Sequence, residues 1–315
     1  MDSLLFSLNA TVPVFAVIFV SWLLRRRGLF PEAFLSAADR FVFRVLLPVL
    51  LFRDIAAGRI TEQFDPKFFL FCFFGTTVMF FSVWAVAELA LRDKSMVGAF
   101  TQGAFRGSLA VLGIAFVQNM YGDAGPVPLM IVASVPLFNI YSVVVLAVRG
   151  GAGAAGGRDA VRMCVRGILT NPIILGIAAG LPFSLLQVDF PPMLGKTLDY
   201  FASMATPLAL VLIGAGFEGR RALAKLRPTA LAAFIKLVAL PALFLLAGYA
   251  LGFRGQTLVS LLILFGAPST VTCYIMAKNM GGDAVLSSSI IVLTTALSAF
   301  TLTLFLYILR AAGAV

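Results

Sequence analysis

The sequence predicts an all-α polytopic membrane protein, and its composition is the first reason. Of the 315 residues, 61% are apolar and only 12% are charged, whereas soluble domains carry roughly 25% charged residues. A soluble enzyme must cover its surface with polar groups, so this composition excludes one. The chain has no histidine and only three scattered cysteines. These numbers argue against a zinc site or a disulfide framework, and we expect no metal and no cofactor.

Ten apolar segments are long enough to be membrane-spanning helices, which need about 20 residues each. They lie near residues 5–24, 33–57, 68–91, 96–119, 126–148, 170–188, 197–217, 228–252, 256–278 and 284–309. Lys and Arg concentrate in the odd-numbered connections between these spans. Because basic residues mark cytoplasmic loops, we expect a multi-pass protein of the cell inner membrane with both termini outside, in the periplasm. The net charge of +10 is then a property of loops and does not indicate nucleic-acid binding.

An internal repeat is the third observation behind the fold class. The motif Asn-Met-Tyr-Gly-Asp-Ala at 119–124 recurs as Asn-Met-Gly-Gly-Asp-Ala at 279–284, 160 residues later. Pro48 and Pro207, and likewise Gly107 and Gly266, recur with an offset of 159 residues. Each half then holds five spans, and because five is odd, the second half starts from the opposite side of the membrane. Inverted repeats of this kind are typical of secondary transporters.

The repeat divides the chain into two five-helix units, residues 1–148 and 170–315. A cytoplasmic linker at 149–169 joins them. This linker contains Gly151 to Gly156, which spell G-x-G-x-x-G. A dinucleotide site needs a strand before this motif and a helix after it, so we interpret the run as a flexible linker.

Spans four and nine are interrupted at their centres, where the repeat superposes them. The residues at the two interruptions are Arg106, Gly107, Ser108, Pro268, Ser269, Thr270 and Thr272. Unwound backbone is tolerated at mid-depth only where it lines a cavity, which favours a substrate-binding site here. The alternative is an ordinary proline kink whose freed carbonyls are satisfied by Ser and Thr.

Arg106 is the most informative candidate, because a charge at the bilayer centre costs about 2.5–3.5 kcal/mol. It binds either an anionic substrate or an internal structural partner. Lys236 lies further from the centre of its span and could add positive potential to the site or extend to the cytoplasmic surface. Asn139 and Tyr141, at the middle of span five, are candidate substrate ligands or interhelical hydrogen-bonding groups.

The central charges favour an anionic substrate. Spans four, five, nine and ten contain no Asp or Glu near their centres. A cation carrier would require such acids to carry its ion. Proton coupling would have to use Asp39, Glu88 or Asp199, or a protonated substrate. The chain also lacks the G-x-x-x-x-G-K-[ST] motif of ATP-driven pumps.

Several ordered motifs resemble the auxin efflux carrier family. They are Phe30-Pro31-Glu32 with Asp39-Arg40-Phe41, Leu47-Pro48-Val49-Leu50-Leu51-Phe52, Asn171-Pro172, Thr206-Pro207-Leu208, Lys236-Leu237 with Pro241, and Gly266-Ala267-Pro268-Ser269-Thr270 through Gly281-Gly282-Asp283-Ala284. The chain resembles the bacterial malonate- and malate-type members. It differs from many relatives in lacking a proline at the span-four crossover.

The resemblance implies a fold related to sodium/proton antiporters and bile acid transporters, with helices 4 and 9 crossed. Helices 1, 2, 6 and 7 would form a scaffold, and helices 3–5 and 8–10 a transport domain. It also implies a homodimer and an elevator-like motion. The implied substrate contacts fall on 106–108, on 268–272, and on span five near Asn139 and Tyr141.

We therefore predict a secondary transporter that moves small mono- or dicarboxylates across the bilayer by alternating access. The protein is not expected to be an enzyme, because it lacks a nucleophile–base pair and clustered acids. The alternative is an anion channel or a membrane-embedded sensor on the same fold.

Overall fold

The computed structural model describes residues 2–56, 64–109, 116–118, 120–123, 125–149, 165–166, 169–188, 190–217 and 219–315. In these ranges all regular secondary structure is helical, with no strand, which confirms the all-α prediction. Most of the predicted linker lies outside the described residues, as do Asn119 and Ala124 of the first repeat motif.

In the first half of the chain, six helices lie wholly within the described residues. They are α1 (Asp2–Arg26), α2 (Glu32–Phe41), α3 (Leu47–Ala56), α4 (Pro66–Ala90), α5 (Val97–Phe105) and α6 (Val127–Arg149). A π-helical turn at Val42–Leu46 joins α2 to α3 without a loop, and a short 3-10 turn at Lys94–Met96 precedes α5.

In the second half of the chain, eight further helices lie wholly within the described residues. They are α7 (Pro172–Leu186), α8 (Pro192–Ala215), α9 (Gly219–Ala224), α10 (Leu226–Phe234), α11 (Leu240–Ala250), α12 (Gly255–Gly266), α13 (Thr272–Asn279) and α14 (Ala284–Ala311). A second π-helical turn, at Ile235–Ala239, connects α10 to α11.

Local capping signals explain where several of these helices begin. Asp65, Asn171 and Asp283 each accept a hydrogen bond from a backbone N–H of the first turn of α4, α7 and α14, respectively. Such side chains satisfy donors that have no intrahelical partner. Pro66 and Pro172 follow the first two caps, at a position where a missing N–H has no cost.

Five helices of the described part are long and apolar enough to cross a membrane. They are Pro66–Ala90, Val127–Arg149, Pro192–Ala215, Leu226–Ala250 and Ala284–Ala311. Large apolar side chains such as Leu89, Met193 and Leu246 are strongly exposed. This exposure is costly in water and favourable in lipid, so the chain is a multi-pass membrane protein. The ten-span inverted arrangement, the terminus orientation and the division into two domains remain predictions.

Glycines allow two helix pairs to approach closely. A Cβ on Gly176 of α7 would lie 2.5 Å from the carbonyl oxygen of Pro48 in α3, and one on Gly180 would lie 2.7 Å from that of Phe52. A Cβ on Gly214 of α8 would lie 2.2 Å from the carbonyl oxygen of Ile18 in α1. Helices in a membrane gain no hydrophobic driving force from contact with each other, because lipid tails are as apolar as leucine. Small residues favour the contact by letting the two backbones approach closely. The packing holds α3 against α7 and α1 against α8.

Candidate functional site

Two helices end in the buried interior of the bundle. Helix α5 ends at Phe105, and Arg106 then adopts an extended conformation with φ −75° and ψ 141°. Helix α12 ends at Gly266, and Ala267 is likewise extended, with φ −64° and ψ 147°. After α12 the chain turns back into helix only at Thr272. The residues in between expose backbone groups that a continuous helix would have satisfied.

The two extended segments satisfy each other, and we call them together the crossover (Arg106–Ser108 and Ala267–Thr270). The Ser108 amide donates to the Pro268 carbonyl oxygen at 3.0 Å. The Ser269 hydroxyl donates to the Gly103 carbonyl oxygen, and the Ser269 amide donates to the hydroxyl of Thr294 in α14 at 3.1 Å. Irregular backbone at this depth is stable because protein groups replace the missing helical partners.

A reciprocal contact ties the helices on either side of the crossover. The Gln102 side-chain amide of α5 donates to the Cys273 carbonyl oxygen at 3.2 Å. The Cys273 thiol in turn contacts the Gln102 carbonyl oxygen at 3.7 Å. The side-chain oxygen of Gln102 and the hydroxyl of Thr101 are buried without a partner among the described residues. The end of α5 and the start of α13 are therefore joined by buried polar contacts.

Arg106 is buried in the crossover, with only 4% of its surface exposed. One terminal nitrogen donates to the Asn139 side-chain oxygen at 3.0 Å, and the other lies 3.3 Å from the Ser142 hydroxyl and 2.9 Å from the Met276 sulfur. Its Nε is buried without a partner among the described residues. Every partner is neutral, so the guanidinium charge is solvated but not compensated.

Lys236 is the second buried cation and approaches the crossover from the π-helical turn between α10 and α11. Its side chain is fully buried, and Nζ donates to the Phe105 carbonyl oxygen at 3.2 Å. A Cβ built on Gly107 would lie 3.3 Å from the same nitrogen. Lys236 therefore extends toward the site and not toward the membrane surface. No carboxylate of the described residues forms an ion pair with Lys236 or Arg106.

A small cavity of about 90 Å³ opens at the crossover. Its wall consists of Leu50, Leu51 and Asp54 from α3, Thr206 from α8, Val135, Phe138 and Asn139 from α6, and Arg106, Gly107, Ser108, Leu109, Thr270 and Thr272 from around the crossover. Since roughly 10–15 Å³ of such space admits one water molecule, the cavity has room for several waters or for a small organic acid.

The cavity brings together most, but not all, of the predicted substrate-binding residues. Arg106, Gly107, Ser108, Asn139, Thr270 and Thr272 line it, whereas Tyr141, Pro268, Ser269 and Lys236 do not. Pro268 and Ser269 instead form hydrogen bonds that stabilise the backbone of the crossover. Tyr141 shares a hydrogen bond of 3.0 Å with the hydroxyl of Thr77 and stacks on Phe80, with ring centroids 4.5 Å apart. These contacts join α6 to α4.

Two polar cavity residues, Asp54 and Thr206, are missing from the sequence-based prediction. Asp54 is an acid inside a predicted span, and this signal could have identified it. Its side chain is 16% exposed and lies 3.3 Å from Arg53, which in turn binds Asp199 at 2.7 Å. Thr206 carried no comparable signal, because hydroxyl side chains are common in membrane helices.

A second cavity, of about 330 Å³, lies at the end of the bundle that we predict to be cytoplasmic. Arg25, Glu32, Gly216, Tyr274 and Lys278 are among the residues of its wall. Here an ion pair of 3.3 Å connects Lys278 of α13 to the buried carboxylate of Asp39 in α2.

Among the described residues, His, Cys, Asp and Glu side chains form no group of three that could hold a metal ion.

Sequence comparisons relate the chain to known membrane proteins. Residues 6–156 and 157–306 match the sequence model of the family described as "Membrane transport protein". A protein of Rhizobium meliloti (strain 1021) named "Putative malonate transporter" is 27% identical over 308 residues, covering 95% of this chain and 94% of that protein.

The family match covers both halves of the chain and confirms the predicted family. Together with the named relative, it confirms the prediction that the protein is a transporter and not an enzyme. The chain belongs to the membrane transport protein family, which is the auxin efflux carrier family indicated by the motifs around Pro48, Pro207 and Pro268.

Proposed function

We propose that the protein is a secondary transporter for small organic anions, mono- or dicarboxylates, which bind in the crossover cavity. The observation that carries this proposal is the pair of buried cations, Arg106 and Lys236, neither of which forms an ion pair with a carboxylate of the described residues. A buried charge without a counter-ion costs several kcal/mol, on the order of the effective penalty per buried ion. A carboxylate that enters the cavity would compensate the charge.

The donor set around the cavity suits a carboxylate. The guanidinium of Arg106 presents several N–H groups in one plane, a geometry that matches two carboxylate oxygens. Its Nε is buried without a partner among the described residues. The hydroxyls of Thr270 and Thr272 share a hydrogen bond of 3.3 Å in the cavity wall, and the hydroxyl that accepts it can donate its own O–H to a ligand.

The mechanism we propose is alternating access of the elevator type within a ten-span, inverted-repeat fold. The cavity is bounded on one side by α3 and α8 and on the other by the crossover, which are the predicted scaffold and the predicted transport domain. A substrate held between them would change sides if the two moved past each other. The protein would act as a homodimer in the cell inner membrane with both termini periplasmic. The name of the Rhizobium meliloti relative supports malonate as the first substrate to test.

The test is counterflow in proteoliposomes that contain the purified protein and an internal pool of unlabelled acid. Radiolabelled malonate, succinate and acetate are offered outside, with a cationic amine as the control solute. We expect saturable accumulation of at least one acid, and a rise in thermal stability of the purified protein with the same acid, since a ligand stabilises the state that binds it. Absence of both with all acids at millimolar concentration would reject the anion proposal. Unsaturable flux with single-channel steps would instead identify a channel.

A further inference from the structure

Helix α6 presents two neighbouring side chains to the guanidinium of Arg106. Asn139 and Ser142 lie about one turn apart on this helix, and both are fully buried. The side-chain oxygen of Asn139 accepts a hydrogen bond from one terminal nitrogen of Arg106 at 3.0 Å, and the hydroxyl oxygen of Ser142 accepts one from the other at 3.3 Å. Each terminal nitrogen of the guanidinium therefore has a partner on the same helix.

The donor groups of these two side chains are directed to the backbone of α6. The Ser142 hydroxyl donates to the Phe138 carbonyl oxygen at 2.6 Å, and the Asn139 side-chain nitrogen donates to the Val135 carbonyl oxygen at 2.9 Å. Because a hydroxyl has a single proton, a Ser142 that donates to Phe138 must act as an acceptor toward Arg106. The helix backbone thus fixes both side chains in the orientation in which they accept from the guanidinium.

Ser142 differs from the other partner on α6 in its position relative to the cavity. Arg106 and Asn139 line the crossover cavity, whereas Ser142 does not. The third partner of the guanidinium, the sulfur of Met276 at 2.9 Å, belongs to α13 and is a weak acceptor. Ser142 consequently lies behind the guanidinium as seen from the cavity, at a place where it contacts Arg106 but not a ligand.

We propose that Ser142 is a positioning residue that orients the guanidinium of Arg106 for carboxylate binding without touching the substrate. The proposal rests on the proposed function. A guanidinium binds a carboxylate best when two of its N–H groups face the two oxygens, so the direction of its plane matters. Ordering that plane before the substrate arrives lowers the cost of binding. Because Ser142 is neutral, it holds Arg106 and leaves the positive charge available to the ligand.

The experiment measures the affinity of the purified protein for malonate, or for the acid that counterflow identifies, by titration calorimetry. Ser142→Ala removes the acceptor and should weaken binding roughly 2- to 12-fold, the range that corresponds to the net contribution of one hydrogen bond. Ser142→Cys keeps nearly the same volume but offers a weaker acceptor, and its affinity should lie between the two. The matched control is Ser134→Ala, because Ser134 is buried on the same helix and contacts Thr76 instead of Arg106. Its affinity should equal that of the wild type.

A second measurement distinguishes positioning from a general effect on packing. Arg106→Lys keeps the positive charge but replaces the planar donor set by an ammonium group, which is a point charge with rotatable donors. If Ser142 acts by orienting the guanidinium plane, Ser142→Ala should change the affinity of Arg106→Lys by less than twofold. A merely structural role of Ser142 would give the same loss in both backgrounds, because independent effects add.

The outcomes separate this inference from the proposed function. If the wild-type protein neither binds nor exchanges any carboxylate, the proposed function fails. If the wild type binds a carboxylate and Ser142→Ala binds it within twofold as tightly, the inference fails and the proposed function stands. An equal loss of affinity in the wild-type and Arg106→Lys backgrounds would also overturn the inference. Should Ser142→Ala not fold, Ser142→Cys replaces it in both backgrounds, and an affinity equal to that of the wild type would then reject the positioning role.

Discussion

Replacing Arg106 by glutamine tests the charge at the centre of the site. Glutamine keeps an amide that can reach toward Asn139, but it removes the guanidinium and its positive charge. In the structure this charge is 4% exposed and is held by neutral partners alone. A bound carboxylate would therefore lose its nearest charged donor, while the folded protein would lose a buried charge that no acid compensates.

The expected magnitude follows from these contacts. A hydrogen bond to a charged group contributes roughly 1.5–3 kcal/mol. Because about 1.4 kcal/mol corresponds to a tenfold change in affinity, the loss of one such bond weakens carboxylate binding roughly 10- to 150-fold. The thermal stability of the ligand-free protein should not fall comparably, since the removed charge was itself costly to bury.

The assay is titration calorimetry with malonate, or with the acid that counterflow identifies, combined with the counterflow KM. Arg149→Gln is the matched control, because Arg149 is paired with Glu88 at the end of α6, away from the cavity. Arg106→Lys should lie between wild type and Arg106→Gln, since it keeps the charge but not the planar donor set. An affinity of Arg106→Gln within about threefold of wild type would remove the guanidinium from the binding site.

Three further substitutions probe the surroundings of the site. Lys236→Met should weaken carboxylate binding about tenfold without lowering the thermal stability of the ligand-free protein, because Lys236 is a buried charge without a counter-ion. A large loss of thermal stability would contradict this reasoning. Gly176→Leu should lower the unfolding temperature, because a Cβ there meets a backbone oxygen at 2.5 Å, whereas Gly195→Leu faces open space and should not. Asp39 and Lys278 form an ion pair, so a double-mutant cycle of unfolding free energies with Asp39→Asn and Lys278→Met should give an interaction energy of about 0.5–3 kcal/mol. Additive effects of the two substitutions would argue against the ion pair.

Sequence alone determined the features of this protein that depend on neighbouring residues. The apolar runs predicted a helical membrane protein, because backbone in lipid must satisfy its own hydrogen bonds. Pro268 and Gly107 predicted where two helices are interrupted, since a proline removes a local donor and a glycine permits unusual backbone angles. The ordered motifs around Pro48, Pro207 and Pro268 identified the family. The sequence identified Arg106 as a candidate because its distance from both ends of span four can be counted in residues.

Only the tertiary structure decided which side chains meet across the bundle. Which face of α3 turns toward the crossover depends on how that helix rotates against its neighbours, so Asp54 was not recognised as a cavity residue. The partners of Arg106 come from α6 and α13, at sequence separations of 33 to 170 residues. The direction of the Lys236 side chain, left open by its position in the span, follows from the carbonyl group of Phe105. Such contacts depend on the packing of whole helices, which no local pattern specifies.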